Sequence, residues 1–371
     1  MPSTPRALRL YAGPQARRHL AQHGLRAQDV GIIPAAAGGP KGLILGPLDR
    51  FIFGQWLPQS QQPVHLVGAS IGAWRMATAC LNDSVAAFER LERDYIAQHY
   101  PLRPGEKRPS ASQVSEQFGH SLQQFYGGRV QEVLSHPRFL LHLVTSRGRH
   151  VLAQEGPLRT PLGYAGAFAA NAVHRKALGA WLERVVFSSH SATGQAAALP
   201  IPLPFGTQDF RTRQVPLNSH NFMDALQASC SIPFALRAVH GIAGAPPGAY
   251  WDGGITDYHL HLRYQPPASA RIVLYPHFQQ AVVPGWLDKV WKRRHRASPA
   301  LDNMLLLAPD PAWVKTLPNG KLPDRNDFTH YGQDLAGRMK AWQGATAASQ
   351  QLADEFAQWL QQPDLSRVEP I

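Results

Sequence analysis

Val64-His65-Leu66-Val67-Gly68-Ala69-Ser70-Ile71-Gly72-Ala73-Trp74 decides the fold of this 371-residue chain. Residues 64–67 form an apolar run of strand type, and residues 73–80 read as a buried helix. Between them Gly68-Ala69-Ser70-Ile71-Gly72 is a G-x-S-x-G turn. A serine at the tip of such a turn exposes its Oγ, and glycines two residues to either side let strand and helix pass closely. The helix start behind it favours developing negative charge. Alone, the pattern is equally a plain strand-to-helix turn with a serine cap, so its surroundings decide.

One such unit precedes it. Val30-Gly31-Ile32-Ile33-Pro34 reads as a buried strand. It runs into Ala35-Ala36-Ala37-Gly38-Gly39-Pro40-Lys41-Gly42 and an apolar helix over 43–56. Two strand–loop–helix units in succession predict an α/β fold with parallel strands and right-handed crossovers. The glycine-rich loop is no phosphate loop, because no Gly-Lys-Ser/Thr closes it, and the dinucleotide fingerprint is missing too.

Further strands are predicted at 139–145, 185–189, 272–275 and 304–307. Helical spacing predicts helices at 14–24, 84–99, 113–135, 161–184 and 221–233, and over 331–361 with a break near Gly344. Residues 101–109 form a basic, proline-rich loop. Alternating prolines from Leu199 to Phe205 forbid a central strand or a helix. That apolar loop either flanks an acyl pocket or dips into lipid, or else packs on the core.

The composition bounds the function classes. Formal net charge is +12, which favours anionic partners, whether nucleic acid, anionic lipid or acidic substrate. No nucleic-acid module spacing is present, so nucleic acid is not expected. Cys80 and Cys230 both sit in apolar stretches, which fits a reducing compartment and no disulfide framework. The start leads into no apolar signal segment, and no apolar run reaches membrane-span length. A cytoplasmic protein, with peripheral membrane contact at most, is the expectation.

Gly38-Gly39-Pro40-Lys41-Gly42, Gly68-Ala69-Ser70-Ile71-Gly72 and Asp252-Gly253-Gly254 follow one another in this order, with Ala228-Ser229-Cys230-Ser231-Ile232-Pro233-Phe234 just before the aspartate. Together they resemble the patatin-like phospholipase family, over roughly residues 29 to 260. That family has a glycine-rich oxyanion loop, a G-x-S-x-G nucleophile elbow, an A-S-x-A-x-P-x-F block and an aspartate in D-G-G/A. The resemblance implies a three-layer α/β fold with a mainly parallel central sheet. It implies a serine acyl hydrolase of lipid esters, of phospholipase A, lysophospholipase or esterase type. Ser70 would be nucleophile, Asp252 its base, and Gly38 and Gly39 the oxyanion donors, with no metal or organic cofactor. Two features matter against the family pattern: Ala36 and Ala37 replace the Asp and first Gly of the oxyanion loop, and Pro40 after the glycine pair has no N–H to offer. Lys41 matches the family's basic position. On this reading residues 29–277 form the hydrolase core, and 278–371 a basic, largely helical extension packed on it.

Elementary chemistry is compatible. A serine hydroxyl needs a base, and an aspartate becomes an adequate one only when desolvated and hydrogen-bonded to it. Two alternatives stay open. One is a Ser-His-Asp α/β-hydrolase using His240, His259 or His277. The other is a non-enzymatic binder of anionic lipid surfaces, carried by residues 286–296: on a helix, Leu287, Val290 and Trp291 would share a face beside Lys292, Arg293, Arg294 and Arg296. Oligomeric state is left open.

Overall fold

A computed structural model describes residues 5–102, 105–106, 108–190 and 200–371. Arg103, Pro104 and Lys107 of the basic loop, and Leu199 of the proline-rich stretch, lie outside the described residues. The rest of the proline-rich stretch is non-regular chain in which Ile201 and Phe205 are buried against the core.

The centre is one sheet. Its strands are β1 (Leu8–Ala12), β2 (Val30–Ala35), β3 (Val64–Ala69), β4 (Phe139–Gly148), β5 (Leu182–Ser188), β6 (Thr212–Pro216), β7 (Tyr250–Asp252), β8 (Ile272–Pro276), β9 (Met304–Pro309) and β10 (Val368–Pro370). Their order is β10-β1-β9-β8-β2-β3-β4-β5-β6, with β7 pairing β4 off this path. The inner run β9-β8-β2-β3-β4 is parallel throughout. Every residue of β2, β8 and β9 is buried, as expected for strands covered by helices on both faces. The fold is thus mixed α/β with a mostly parallel central sheet flanked by helices.

β4 matters most for the site. Its ten residues outrun β3, whose last residue, Ala69, pairs with Val144. The next position, Thr145, takes Asp252 of β7 on the edge that β3 has vacated. The end of one partner strand and the end of another therefore meet at consecutive positions of β4.

Residues 278–371 contribute β9 and β10 to the same sheet, and β9 pairs antiparallel with β1. Their last long helix, Gln350–Gln361, packs on the core through Phe356, whose ring meets Phe51 edge-on at 6.1 Å and Trp56 at 5.6 Å. Glu355 on the same helix accepts the N–H groups of Ala7 and Leu8 at 2.8 and 3.0 Å, fixing the start of β1.

Several helices differ from their sequence-based bounds for identifiable reasons. The 43–56 stretch is helical but wound unevenly: a 3-10 segment to Leu45, an α-helix Gly46–Phe51 and a π turn to Trp56. The 113–135 helix splits after Tyr126, where Gly127 and Gly128 stop it. The 161–184 stretch is an α-helix only to Val173, then a 3-10 turn, and β5 begins at Leu182. The C-terminal break falls at Ser349, whose hydroxyl donates to the Thr346 carbonyl at 2.6 Å. Gly344 stays helical, and the side chain it lacks would sit 3.1 Å from Pro318.

The 286–296 segment is not an amphipathic helix. It makes two short 3-10 turns, Trp286–Asp288 and Lys292–His295. The reason is Asp288, a fully buried carboxylate that gathers Asn171, Arg175 and Arg294 at 2.9, 2.9 and 2.6 Å. Satisfying a buried charge outweighs the local helical pattern. Among the described residues no helix is long and apolar enough to cross a membrane.

Candidate active site

Ser70 has φ 57° and ψ −130°, a left-handed conformation that a non-glycine residue adopts only under constraint. The constraint is the packing of the Ile71–Ala79 helix against β2. A side chain at Gly72 would lie 1.9 Å from the Ala35 carbonyl oxygen, so only glycine lets the helix pass. A buried bidentate pair, Arg75 to Asp49 with both contacts at 2.7 Å, also anchors that helix.

The Ser70 hydroxyl donates to Asp252 Oδ2 at 2.7 Å. The other carboxylate oxygen, Oδ1, accepts the Gly254 N–H at 2.7 Å. Both side chains are nearly buried. Burial pushes the Asp252 carboxyl above the usual carboxylate range, and this outweighs the Ser70 hydroxyl, Arg325, the Gly254 N–H and Lys289, which pull it down.

The Ala228–Phe234 block supplies the clamp between the two. Ser229 Oγ accepts the Ser70 N–H at 3.1 Å and donates to the Val144 carbonyl at 2.7 Å. The Ser229 carbonyl accepts from Gly253 N–H at 3.1 Å, and the Ser231 carbonyl from Asp252 N–H at 2.8 Å. One turn of chain therefore holds both the elbow and the aspartate strand. With its own N–H engaged by Ser229, Ser70 has none to offer a reacting carbonyl.

Gly38 and Gly39 stand at the head of the 3-10 segment that begins at Gly39. N–H groups at a helix start have no intrahelical acceptor. Gly39 has φ 58°, and a side chain at Gly38 would run into the Phe278 ring at 2.5 Å. Gly38 leaves bare backbone on the cavity wall, which it lines together with Asp252, and Gly39 follows it directly in the chain.

That cavity, about 190 Å³, is also lined by Lys41, Tyr258, Trp286, Lys289 and Arg325. Among the described residues none of these three cations forms an ion pair, and Asp324 nearby is taken by Lys321 at 2.8 Å. Lys289 Nζ stands 4.1 Å from the centre of the Tyr258 ring. Partial burial in the cleft, then Arg325 and Lys41, push Lys289 down to about 8, with Asp252 pulling the other way. Lys289 and Arg325 sit in no local motif, and Arg325 had no sequence signal pointing to the site.

The late histidines lie elsewhere. His240 is exposed. His259 Nδ1 accepts the Val283 N–H at 3.0 Å, and His277 Nδ1 accepts the Gln279 N–H at 3.0 Å. Burial drives His277 down to about 3 and His259 well below its ordinary value, so both are neutral packing groups. Among the described residues no histidine hydrogen-bonds Ser70 or Asp252. Nor do any three His, Cys, Asp or Glu side chains group to hold a metal there.

The family model of the patatin-like phospholipases matches residues 37–259. The chain belongs to the patatin-like phospholipase family. Family members are lipid acyl hydrolases, and that general activity comes with the domain. The match begins one residue before Gly38 and ends beyond Asp252, so Lys289 and Arg325 reach the cavity from outside the patatin-like region. No curated protein matches the chain.

Proposed function

We propose that this patatin-like protein hydrolyses acyl esters of anionic lipids through a Ser70–Asp252 dyad. The observation that carries the reading is the 2.7 Å hydrogen bond from the Ser70 hydroxyl to a buried carboxylate with a raised pKa and no histidine between them. As the Ser70 oxygen adds to the ester carbonyl, its proton passes to Asp252 Oδ2, and the carbonyl oxygen becomes an oxyanion facing Gly38 and Gly39 N–H. Collapse expels the alcohol, which takes the proton from Asp252 and leaves an acyl-serine. Water then gives its proton to Asp252 as it attacks the acyl-serine, and the fatty acid departs as Ser70 regains a proton. A carboxylate does this better here than in water, because desolvation raises its proton affinity toward that of a useful base.

The unpaired Lys41, Lys289 and Arg325 favour a substrate with negative charge near the scissile ester. Headgroups of phospholipid or lysophospholipid type satisfy this, and a neutral ester does not. A fluorophosphonate probe tests the nucleophile: labelling is expected on Ser70, absent in folded Ser70→Ala. Labelling confined to Ser229 would overturn the assignment. A preference for neutral over anionic esters of equal chain length would overturn the substrate class.

A further inference from the structure

The helix Arg159–Val173 turns an apolar face to solvent. Its inner positions Thr160, Gly163, Tyr164, Ala167 and Asn171 are buried, and every exposed position after Arg159 is apolar: Pro161, Leu162, Ala165, Phe168, Ala169 and Val173. Leu162 is 67% exposed and Val173 84%, with Leu158 just before the helix at 74%. An ordinary surface helix carries charge on its outer face, so this one is built to meet something other than water.

The surface continues to the cavity mouth. The Tyr164 ring meets Phe234 edge-on at 5.8 Å, and Phe234, itself 60% exposed, follows the cavity-lining Ile232 and Pro233. Phe168 stacks on Trp291 at 6.3 Å, and the exposed Val290 stands between Trp291 and the cavity-lining Lys289. Leu158, Leu162, Phe168, Val173, Phe234 and Val290 make up six of the eight large hydrophobic side chains exposed among the described residues. They gather on this one helix and the two segments touching it. The basic segment is fastened to the helix: Arg294 donates to the Asn171 carbonyl at 2.7 Å and Asn171 to Asp288 at 2.9 Å. Exposed Lys289, Lys292, Arg293 and Arg296 thereby border the apolar face.

We propose that this face is a membrane-docking surface that seats the cavity mouth on an anionic lipid bilayer. An apolar stripe edged by cations matches the acyl boundary and headgroups of such a bilayer. A second copy fits worse, because a two-fold interface would bring the same cations toward one another. The face runs up to cavity-lining residues at both Phe234 and Val290, so a bilayer seated on it brings its lipids to the cavity mouth. The purpose of this surface rests on the lipid-ester reading above, but its test does not.

The test uses full-length Ser70→Ala protein, which leaves lipid intact, with vesicles of phosphatidylcholine alone or with one-fifth phosphatidylglycerol. Sedimentation should show binding to the anionic vesicles that weakens with salt. Leu162→Asp with Phe168→Asp should lower that binding by roughly tenfold or more, since each large side chain leaving water is worth about that much. Lys292→Glu with Arg293→Glu should also lower it, and should flatten its salt dependence. Placed in the chain with Ser70 intact, the Leu162/Phe168 pair should turn over a soluble short-chain ester at the normal rate, so failure of the dyad and failure of docking give different results. Binding by the Leu162/Phe168 variant equal to that of the parent would overturn the proposal. So would absence of vesicle binding by the parent. So would a dimer in solution that the variant converts to a monomer, which would assign the face to a second copy.

Discussion

Replacing Asp252 with asparagine tests the base, and set beside His259→Gln and His277→Gln it separates a two-residue mechanism from a histidine-assisted one. The substitution keeps the size of the side chain but leaves a single acceptor oxygen. Two donors now compete for it: the Gly254 N–H at 2.7 Å, which cannot rotate away, and the Ser70 hydroxyl at 2.7 Å, which can. The amide oxygen settles on Gly254 N–H and turns its NH₂ toward Ser70, so the serine accepts where it formerly donated. Base and nucleophile orientation are lost together. General-base removal alone costs roughly 10²–10⁴ in rate, or about 3–5 kcal/mol of barrier. Turnover of a soluble short-chain ester, measured on protein whose melting curve is normal, reads the effect directly. The melting curve carries its own expectation. A raised Asp252 pKa means that ionising this carboxyl costs the folded state stability above the unfolded pKa. Asparagine removes that cost, so the variant should melt higher than the parent at neutral pH, with the gain shrinking in acid. Retention of more than about a tenth of the parent's turnover, against the loss expected for a base, would refute the reasoning. So would His259→Gln or His277→Gln falling as far as Ser70→Ala while remaining folded.

Other consequences follow from the same geometry. Gly38→Ala drives a methyl group into the Phe278 ring and should displace the loop, lowering turnover by roughly 10²-fold; adding Phe278→Ala makes room and should restore most of it, and normal turnover in the single variant would place the oxyanion donors elsewhere. Asp49→Ala strands the Arg75 guanidinium in the core and should cost about 3–5 kcal/mol in denaturant unfolding. A loss below about 1 kcal/mol would mean that the pair is solvated. The acid limb of turnover should lie above the ordinary carboxylate value of about 3.9, because the proposed dyad needs an ionised Asp252 and its pKa is raised. For an anionic ester KM should climb above about pH 8, as Lys289 loses its proton, and that climb should be missing in Lys289→Met.

How far the chain could be read in advance depended on whether the information was local. The buried parallel strands β2, β3, β8 and β9 are nearly continuous apolar runs, and they announce themselves. β6, Thr-Arg-Gln-Val-Pro, and β10, Val-Glu-Pro, are short polar edge strands whose membership comes entirely from their neighbours. The elbow serine and the aspartate stand out because tight turns impose fixed spacings. Lys289 and Arg325 do not, since a cation that faces a cavity from a loop needs no local pattern. The 286–296 segment shows the converse: its helical spacing is real, yet a buried Asp288, with partners as distant as Asn171 and Arg175, curls it into short turns. Likewise the sequence predicts a helix at 161–184 without saying which side faces out, and only the burial of the opposite side of Arg159–Val173 reveals that its apolar face points to solvent.

β4 lends its edge first to β3 and then to β7, and this sets the tolerance of the chain to change. Ser70 and Asp252 are 182 residues apart in sequence, but their spacing is measured by a single peptide step, from Val144 to Thr145. Apart from the Ala228–Phe234 clamp, the connecting segments can lengthen, shorten or exchange without moving one relative to the other. Loss of one residue within β4 would do what none of those changes does. It would invert the faces of half a strand and carry Asp252 away from Ser70, although no side chain near the deletion is asked to do chemistry. Variation in this protein should therefore accumulate in the crossovers while the length of β4 stays fixed, and a library of insertions scored for ester turnover would show β4 as a gap between permissive regions.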